Sequence, residues 1–167
     1  MLSGEFASTL NLGPSCTPPR YLPTMTYPAY YTDFWTRFRA MNPDLPTGSG
    51  WKRKPTDLHA NYDGARSPRW NNVYCHVGFV GSGLLRRLVV EWYESDRQLA
   101  EWVEFLHSVQ NVTPPAALVV ENEPPDKIFE RRRAYLTGQL TMDDMVARRE
   151  VLLRQASDAY RVLVVHL

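Results

Sequence analysis

Apolar and polar residues alternate between positions 73 and 93 in a way that predicts a β-hairpin. Apolar side chains occupy every second position from Val73 to Phe79, as expected for a strand with one buried face. Gly81-Ser82-Gly83 interrupts the alternation and is typical of a chain reversal. The alternation resumes over residues 84–93, where the two sides of a second strand carry different sets: Leu88, Val90 and Trp92 on one, and Arg87, Val89, Glu91 and Tyr93 on the other.

Three other stretches repeat their apolar residues at steps of three and four, which predicts helices. The first spans residues 29–41, and Asn42-Pro43 ends it. The second opens at Ser95 and ends before Pro114-Pro115, and the third follows Thr141 and is long enough to run nearly to the C-terminus. The predicted buried residues are, helix by helix, Tyr31, Phe34, Trp35, Phe38 and Met41; Leu99, Trp102, Val103, Leu106 and Val109; and Met145, Val146, Leu152, Leu153, Ala156, Tyr160, Leu163 and Val164.

Two further strands are predicted at residues 117–121 and 128–136, which gives the order α-β-β-α-β-β-α. This order predicts an α+β fold with a small, mainly antiparallel sheet covered by helices and a long C-terminal helix. Residues 42–72 are rich in proline, glycine and basic residues and are predicted to form a loop that contains Trp51 and Trp70. The proline-rich residues 1–27 predict a flexible tail, and residues 28–167 a single domain.

Composition narrows the functional classes only slightly. Apolar residues make up 44% of the chain, charged residues 22%, and the formal net charge is +1, so bulk charge favours no particular partner. Cys16 and Cys75 lie far apart without clustered Cys/His spacing, which disfavours a structural metal site and suits a reducing cytoplasm. No apolar run approaches the length of a membrane span, and no nucleotide- or cofactor-binding motif occurs, so no cofactor is expected.

Carboxylates at predicted strand ends are candidates for metal-dependent chemistry. Glu91, Glu121 and Glu123 could hold a divalent cation for phosphodiester cleavage, the chemistry of a restriction-type nuclease. Such sites also need a lysine at a fixed offset from one of the acids, and none stands there. The alternative is that Glu91 pairs across the sheet with Arg131 or Arg133.

Arginines are the candidates for nucleic-acid binding. Arg86 and Arg87 begin the second strand, and Arg131, Arg132 and Arg133 lie in the fourth. If these strands lie close together, alternate arginines would form a basic sheet face suited to a phosphate backbone. Charged runs of this kind also occur as solvated faces or as pairs with local acids.

Three sequence stretches support a resemblance to a known family. They are Phe34–Phe38 (FWTRF), Val89–Ser95 (VVEWYES) and Ala100–Leu106 (AEWVEFL). Over residues 28–165 the chain resembles a prokaryotic domain of unknown function that is often encoded with, or fused behind, restriction-endonuclease-like domains. The resemblance implies an accessory role near nucleic-acid processing or defence, with no assigned active site.

Three hypotheses follow for the function. The first is a non-catalytic cytoplasmic module that binds nucleic acid or a nuclease or defence partner. The second is a small metal-dependent nuclease that uses Glu91, Glu121 and Glu123. The third is a homodimeric structural protein that pairs through its C-terminal helix, with Leu153 and Tyr160 at the interface.

Overall fold

The computed structural model describes residues 25–48, 61–94, 99–126 and 129–167. The predicted tail up to residue 24, Trp51 and the predicted helix start at Ser95 lie outside these ranges. The elements in chain order are α1 (Tyr27–Met41), β1 (Tyr62–Arg66), β2 (Val73–Val80), β3 (Arg87–Glu94), α2 (Leu99–Ser108), β4 (Val119–Asp126), β5 (Phe129–Tyr135), α3 (Met142–Ala147) and α4 (Arg149–Val164). The predicted α+β class is confirmed.

The strands form one antiparallel sheet in the order β1-β2-β3-β5-β4. The hairpin of β2 and β3 aligns Cys75 with Trp92 and Val77 with Val90, as the alternating pattern predicts. β4 lies at the edge of the sheet and contains Pro124 and Pro125, where its register with β5 shifts. Proline is tolerated on an edge strand because one side of that strand needs no ladder hydrogen bonds.

β1 was not predicted, because residues 42–72 were interpreted as loop. Its sequence, YDGAR, contains a glycine and two charged residues and lacks apolar alternation. Pairing with β2 orders it, and the register places Ala65 opposite Cys75. The prediction of a continuous loop is therefore wrong for Tyr62–Arg66, and tertiary pairing is the reason.

The core lies between the sheet and the helices. The Phe79 ring of β2 packs against α1, with its centroid 5.0 Å from that of Phe34. The Trp92 indole N–H of β3 donates to the Leu163 carbonyl of α4 at 3.2 Å, and the Trp92 ring lies 5.4 Å from Phe105 of α2. These contacts place α1, α2 and α4 on the same face of the sheet.

Two helices bury slightly different stripes from those predicted. On α2, Phe105 is fully buried, whereas Val103 is 61% exposed. Trp102, Phe105 and Val109 follow the three- and four-residue spacing that faces the sheet, and Val103 is turned about 100° away from Trp102. On α1, Met41 is 43% exposed at the last turn, beyond the reach of the core.

The predicted C-terminal helix is two helices. Thr141 caps α3 with a capping box, in which its hydroxyl accepts from the Asp144 N–H and the Asp144 carboxylate accepts from the Thr141 N–H. The chain then turns at Arg148 before α4 begins. Val146 is exposed, whereas Leu153 and Tyr160 are buried in the core of their own chain. These two residues therefore face the sheet and are not available to a second copy.

Helix α1 begins at Tyr27, two residues before the predicted helix start. Thr26 caps α1 by accepting from the Ala29 N–H at 3.3 Å, and Tyr27 stacks on Tyr31 at 5.9 Å. Throughout the described ranges, no helix has the length and apolar character that crossing a bilayer requires.

Candidate nucleic-acid interface

The sheet has a second face, which points away from the helices and which we call the distal face. Phe79 and Trp92 point to the helices, so their neighbours along each strand point the other way. The described distal residues are Tyr62, Gly64 and Arg66 on β1; Tyr74, His76, Gly78 and Val80 on β2; Arg87, Val89, Glu91 and Tyr93 on β3; Val119 and Glu121 on β4; and Arg131, Arg133 and Tyr135 on β5.

An ion-pair cluster occupies the middle of the distal face. The Arg133 Nε donates to the Glu91 Oε2 at 2.8 Å, and the Arg131 Nε lies 3.6 Å from the same oxygen. Strand pairing creates the cluster, because Glu91 lies directly opposite Arg133 and diagonally from Arg131, which is two residues further along the same face of β5. The side chains of Glu91 and Arg133 are only 11% and 10% exposed. Glu91 therefore pairs across the sheet, as the alternative interpretation of this residue predicted.

Aromatic rings lie beside the ion pairs. Tyr74 and Tyr93 stack nearly parallel, with centroids 5.0 Å apart and an angle of 9° between the rings. The His76 ring lies 4.5 Å from Tyr62 and 4.6 Å from Tyr93, and its Nε2 is 3.3 Å from the Tyr93 hydroxyl. The distal face thus combines stacked rings with guanidinium groups.

The environment of His76 keeps its imidazole neutral. Burial, together with the positive charge of Arg131, lowers the pKa of His76 to about 3. Burial also raises the pKa of the Tyr93 hydroxyl, and the neighbouring Tyr62 and Tyr74 raise it further. At neutral pH both groups are uncharged and can only donate or accept hydrogen bonds.

A cavity of about 110 Å³ opens between these groups. Its walls include the ring residues, the ion-pair cluster and the backbone of Gly78. A Cβ atom at Gly78 would overlap the Cβ of Tyr62, and one at Gly64 would overlap the Cys75 carbonyl and the His76 ring. Glycine at these two positions lets the Tyr62 and His76 side chains lie across the neighbouring strand. The lining residues are Asn61, Tyr62, His76, Gly78, Val80, Val89, Glu91, Tyr93, Arg131 and Arg133.

The predicted nucleic-acid-binding arginines divide between the two faces. Arg87, Arg131 and Arg133 lie on the distal face, since alternate residues of a strand share a side. Arg132 points to the helices, where its guanidinium lies 5.9 Å from the Trp92 ring and donates to the Val109 and Gln110 carbonyls at 3.4 Å.

Arg86 also lies outside the distal face. Its guanidinium lies 4.2 Å above the Tyr27 ring, and its Nε donates to the Tyr31 hydroxyl at 3.3 Å. Both aromatic residues belong to α1, so Arg86 joins the sheet to the helical layer. The distal face therefore contains three of the five arginines that were predicted to bind nucleic acid.

Of the predicted catalytic residues, Glu91 lies on β3, and Glu121 and Glu123 lie on β4. Glu121 on β4 is exposed and sits opposite Arg133, and Glu123 is paired in register with Arg131. Glu91 and Glu121 therefore flank Arg133 from the two neighbouring strands. The described ranges contain no group of three or more His, Cys, Asp or Glu side chains arranged to hold a metal ion.

Sequence reasoning did not assign a role to the distal aromatic residues. Alternation placed Tyr74, His76 and Tyr93 on the polar side of the hairpin, but only the register of β2 and β3 shows that they form one cluster. Trp70, which was predicted to lie in a loop, packs against Phe105 with the ring centroids 5.6 Å apart and belongs to the edge of the core.

Comparisons with protein-family models, with curated proteins and with solved structures find no match to this chain. The distal face is therefore the feature of this chain from which a function can be inferred.

Proposed function

We propose that this chain is a non-catalytic cytoplasmic module that binds single-stranded nucleic acid on the distal face. The observation that carries the proposal is the combination of stacked tyrosines and arginines on one side of an antiparallel sheet whose other side packs against helices. Proteins that bind single strands combine such features, because every base has a face that stacks on an aromatic ring and every linkage carries a phosphate.

Two arginines mark the ends of this surface. Arg66 on β1 lies opposite Tyr74, and Arg87 on β3 lies opposite Val80. Six residue steps along β2 separate these positions, which corresponds to about 20 Å at the usual rise of a strand. The guanidinium of Arg66 lies 6.0 Å from the Tyr74 ring centroid, and that of Arg87 lies 3.9 Å from the Tyr135 centroid. A nucleic-acid strand that crosses the distal face can thus contact an arginine at each end and aromatic rings between them.

The state of Glu91 favours binding over metal-dependent cleavage. Both of its ion-pair contacts within the described ranges use Oε2, and both come from guanidinium groups. A divalent cation at this oxygen would have to displace or oppose two positive charges. The two guanidinium groups therefore occupy the place that a metal ion would need, and together with Arg66 and Arg87 they give the distal face four cations for an anionic polymer.

Fluorescence anisotropy with labelled single- and double-stranded oligonucleotides tests the proposal. We expect the single strand to bind more tightly, with affinity falling steeply between about 50 mM and about 200 mM salt. Tyr74→Leu is expected to weaken binding by about 1–3 kcal/mol through the loss of base stacking. Arg66→Gln is expected to weaken binding of all sequences and to reduce the salt slope by about 0.7, the value for one phosphate on a single strand.

Arg37→Gln is the matched control. Arg37 lies in the helical layer, where it pairs with Asp33 at 3.0 Å and with Glu150 at 3.1 Å. The substitution removes the same charge from the opposite side of the molecule, so we expect a smaller effect than that of Arg66→Gln. Equal effects of the two variants, or no binding of any strand at low salt, would refute the proposal.

A further inference from the structure

We propose that this chain forms a two-fold symmetric dimer in which the outer edge of β4 pairs with the same edge of a second copy. The two sheets then join into one antiparallel sheet. Three properties of β4 support this pairing: its exposed apolar residues, the limits that its backbone sets, and the order of its charged and apolar side chains.

The first half of the β4 edge exposes three consecutive apolar residues. Leu118, which directly precedes the strand, is 62% exposed, and Val119 and Val120 are 45% and 39% exposed. Within the described ranges, β5 is the only strand that pairs with β4. Edge strands of natural proteins usually carry charges or prolines, which keep other chains from pairing with them. This half of the edge lacks such protection, so it can accept a further strand.

The backbone confines the pairing to the apolar half of the strand. Pro124 and Pro125 have no backbone N–H to donate to a ladder. At the other end, Ala116 has a positive φ of 61°, so extended backbone begins only at Ala117. The stretch that can pair is therefore residues 117–123.

The order of side chains makes this stretch complementary to itself. If Val119 lies opposite its own copy in an antiparallel pair, Leu118 lies opposite Val120 of the other copy, so apolar residues meet. Glu121, which is exposed, then lies opposite Ala117. A register centred two residues further along would place the two Glu121 carboxylates opposite each other, and directly opposed like charges destabilise a strand pair. We therefore assign the centre of the dimer to Val119.

The other edge of the sheet does not offer a similar stretch. β1 has an exposed arginine, Arg66, and no large exposed apolar residue. Pairing of β4 with β4 is thus favoured over a head-to-tail chain of β4–β1 contacts, and two copies complete the assembly.

The symmetry of the dimer places both distal faces on the same side. Neighbouring antiparallel strands are related by a two-fold axis perpendicular to their sheet. One nucleic-acid strand can therefore cross both copies. This consequence rests on the proposed function, whereas the dimer itself does not.

Sedimentation equilibrium of the chain without nucleic acid tests the dimer between about 1 µM and about 100 µM, because small interfaces associate weakly. We expect the mass to rise with concentration from that of one chain towards twice that value. Val119→Lys should remain monomeric throughout, because it places two positive charges opposite each other at the two-fold axis.

Val151→Lys is the matched control. Val151 is 40% exposed on α4, and its neighbour Glu150 pairs with Arg37 of α1, so this surface belongs to the helical layer. We expect Val151→Lys to dimerise like the wild type. A wild type that stays monomeric, a mass beyond two chains, or equal effects of the two substitutions would overturn the proposal. The proposed function would survive each of these results, because the measurement contains no nucleic acid.

Cysteine crosslinking under a mild oxidant tests the register. The Cβ atoms of two opposed residues are about 5 Å apart, a separation that a disulfide can span with small adjustment. Val119→Cys should therefore give a covalent dimer. The two copies of Glu121 would lie four residue steps apart, about 13 Å along the strands, so Glu121→Cys and the wild type with its native cysteines should give little. Failure of Val119→Cys to crosslink, or equal crosslinking of Glu121→Cys, would contradict the inference.

Discussion

Replacing His76 with glutamine is expected to make the protein more resistant to acid. His76 is 4% exposed and lies between two tyrosine rings on the distal face. Burial and the positive charge of Arg131 lower the pKa of His76 to about 3 from the ordinary value of 6.5. Folding therefore requires a neutral imidazole, and the unfolded chain gains one proton more than the folded chain as the pH falls between these two values.

The expected size of the effect follows from this difference in pKa. Each pH unit below about 6.5 lowers the free energy of unfolding by about 1.4 kcal/mol, until the folded imidazole also takes up a proton near pH 3. At about pH 4.5 the loss amounts to about 2.7 kcal/mol. Above about pH 6.5 the His76 imidazole is neutral in both the folded and the unfolded chain. His76 therefore no longer contributes to the pH dependence of stability in that range. A loss of this size is a large part of the 5–15 kcal/mol that is typical of domains.

Urea unfolding at several pH values between about 4.5 and 7.5 measures the effect. The free energy of unfolding of the wild type should fall more on acidification than that of His76→Gln, and the difference between the two proteins should change by about 2.7 kcal/mol over this range. His107→Gln serves as control, because His107 is exposed at the end of α2 and the variant keeps the buried imidazole. If the wild type and His76→Gln lose stability in parallel, folding does not suppress protonation of the His76 imidazole, and this prediction is wrong.

Two further predictions concern the stability of the fold. Phe79→Ala should destabilise the protein by about 3–5 kcal/mol, because Phe79 is fully buried and its ring contacts four aromatic residues of α1. Urea unfolding measures the loss, and a change below about 1 kcal/mol would contradict this packing. Thr141→Ala should cost about 1 kcal/mol through the loss of the N-cap hydroxyl of α3, visible as a lower Tm; Thr141→Ser keeps the hydroxyl and should remain close to the wild type.

Local sequence determined most of the secondary structure. The alternation from Val73 to Tyr93 specified the hairpin and its two faces, because a one-residue shift would have exchanged buried and exposed residues. The caps at Thr141 and Asn42 were also predictable, since they depend on side chains within a few residues of the helix ends. The pattern on α1 correctly identified Phe34 and Trp35 as core residues.

Tertiary structure decided what local patterns do not encode. β1 exists because it pairs with β2, although its own sequence has weak strand character. The Glu91–Arg133 pair joins residues 42 positions apart, and the cluster of Tyr62, His76 and Tyr93 requires the register of three strands. The sequence alone therefore determined which residues share a face of each strand. The order and register of the strands determined which side chains on those faces become neighbours, because side chains on different strands come into contact only through pairing across the sheet.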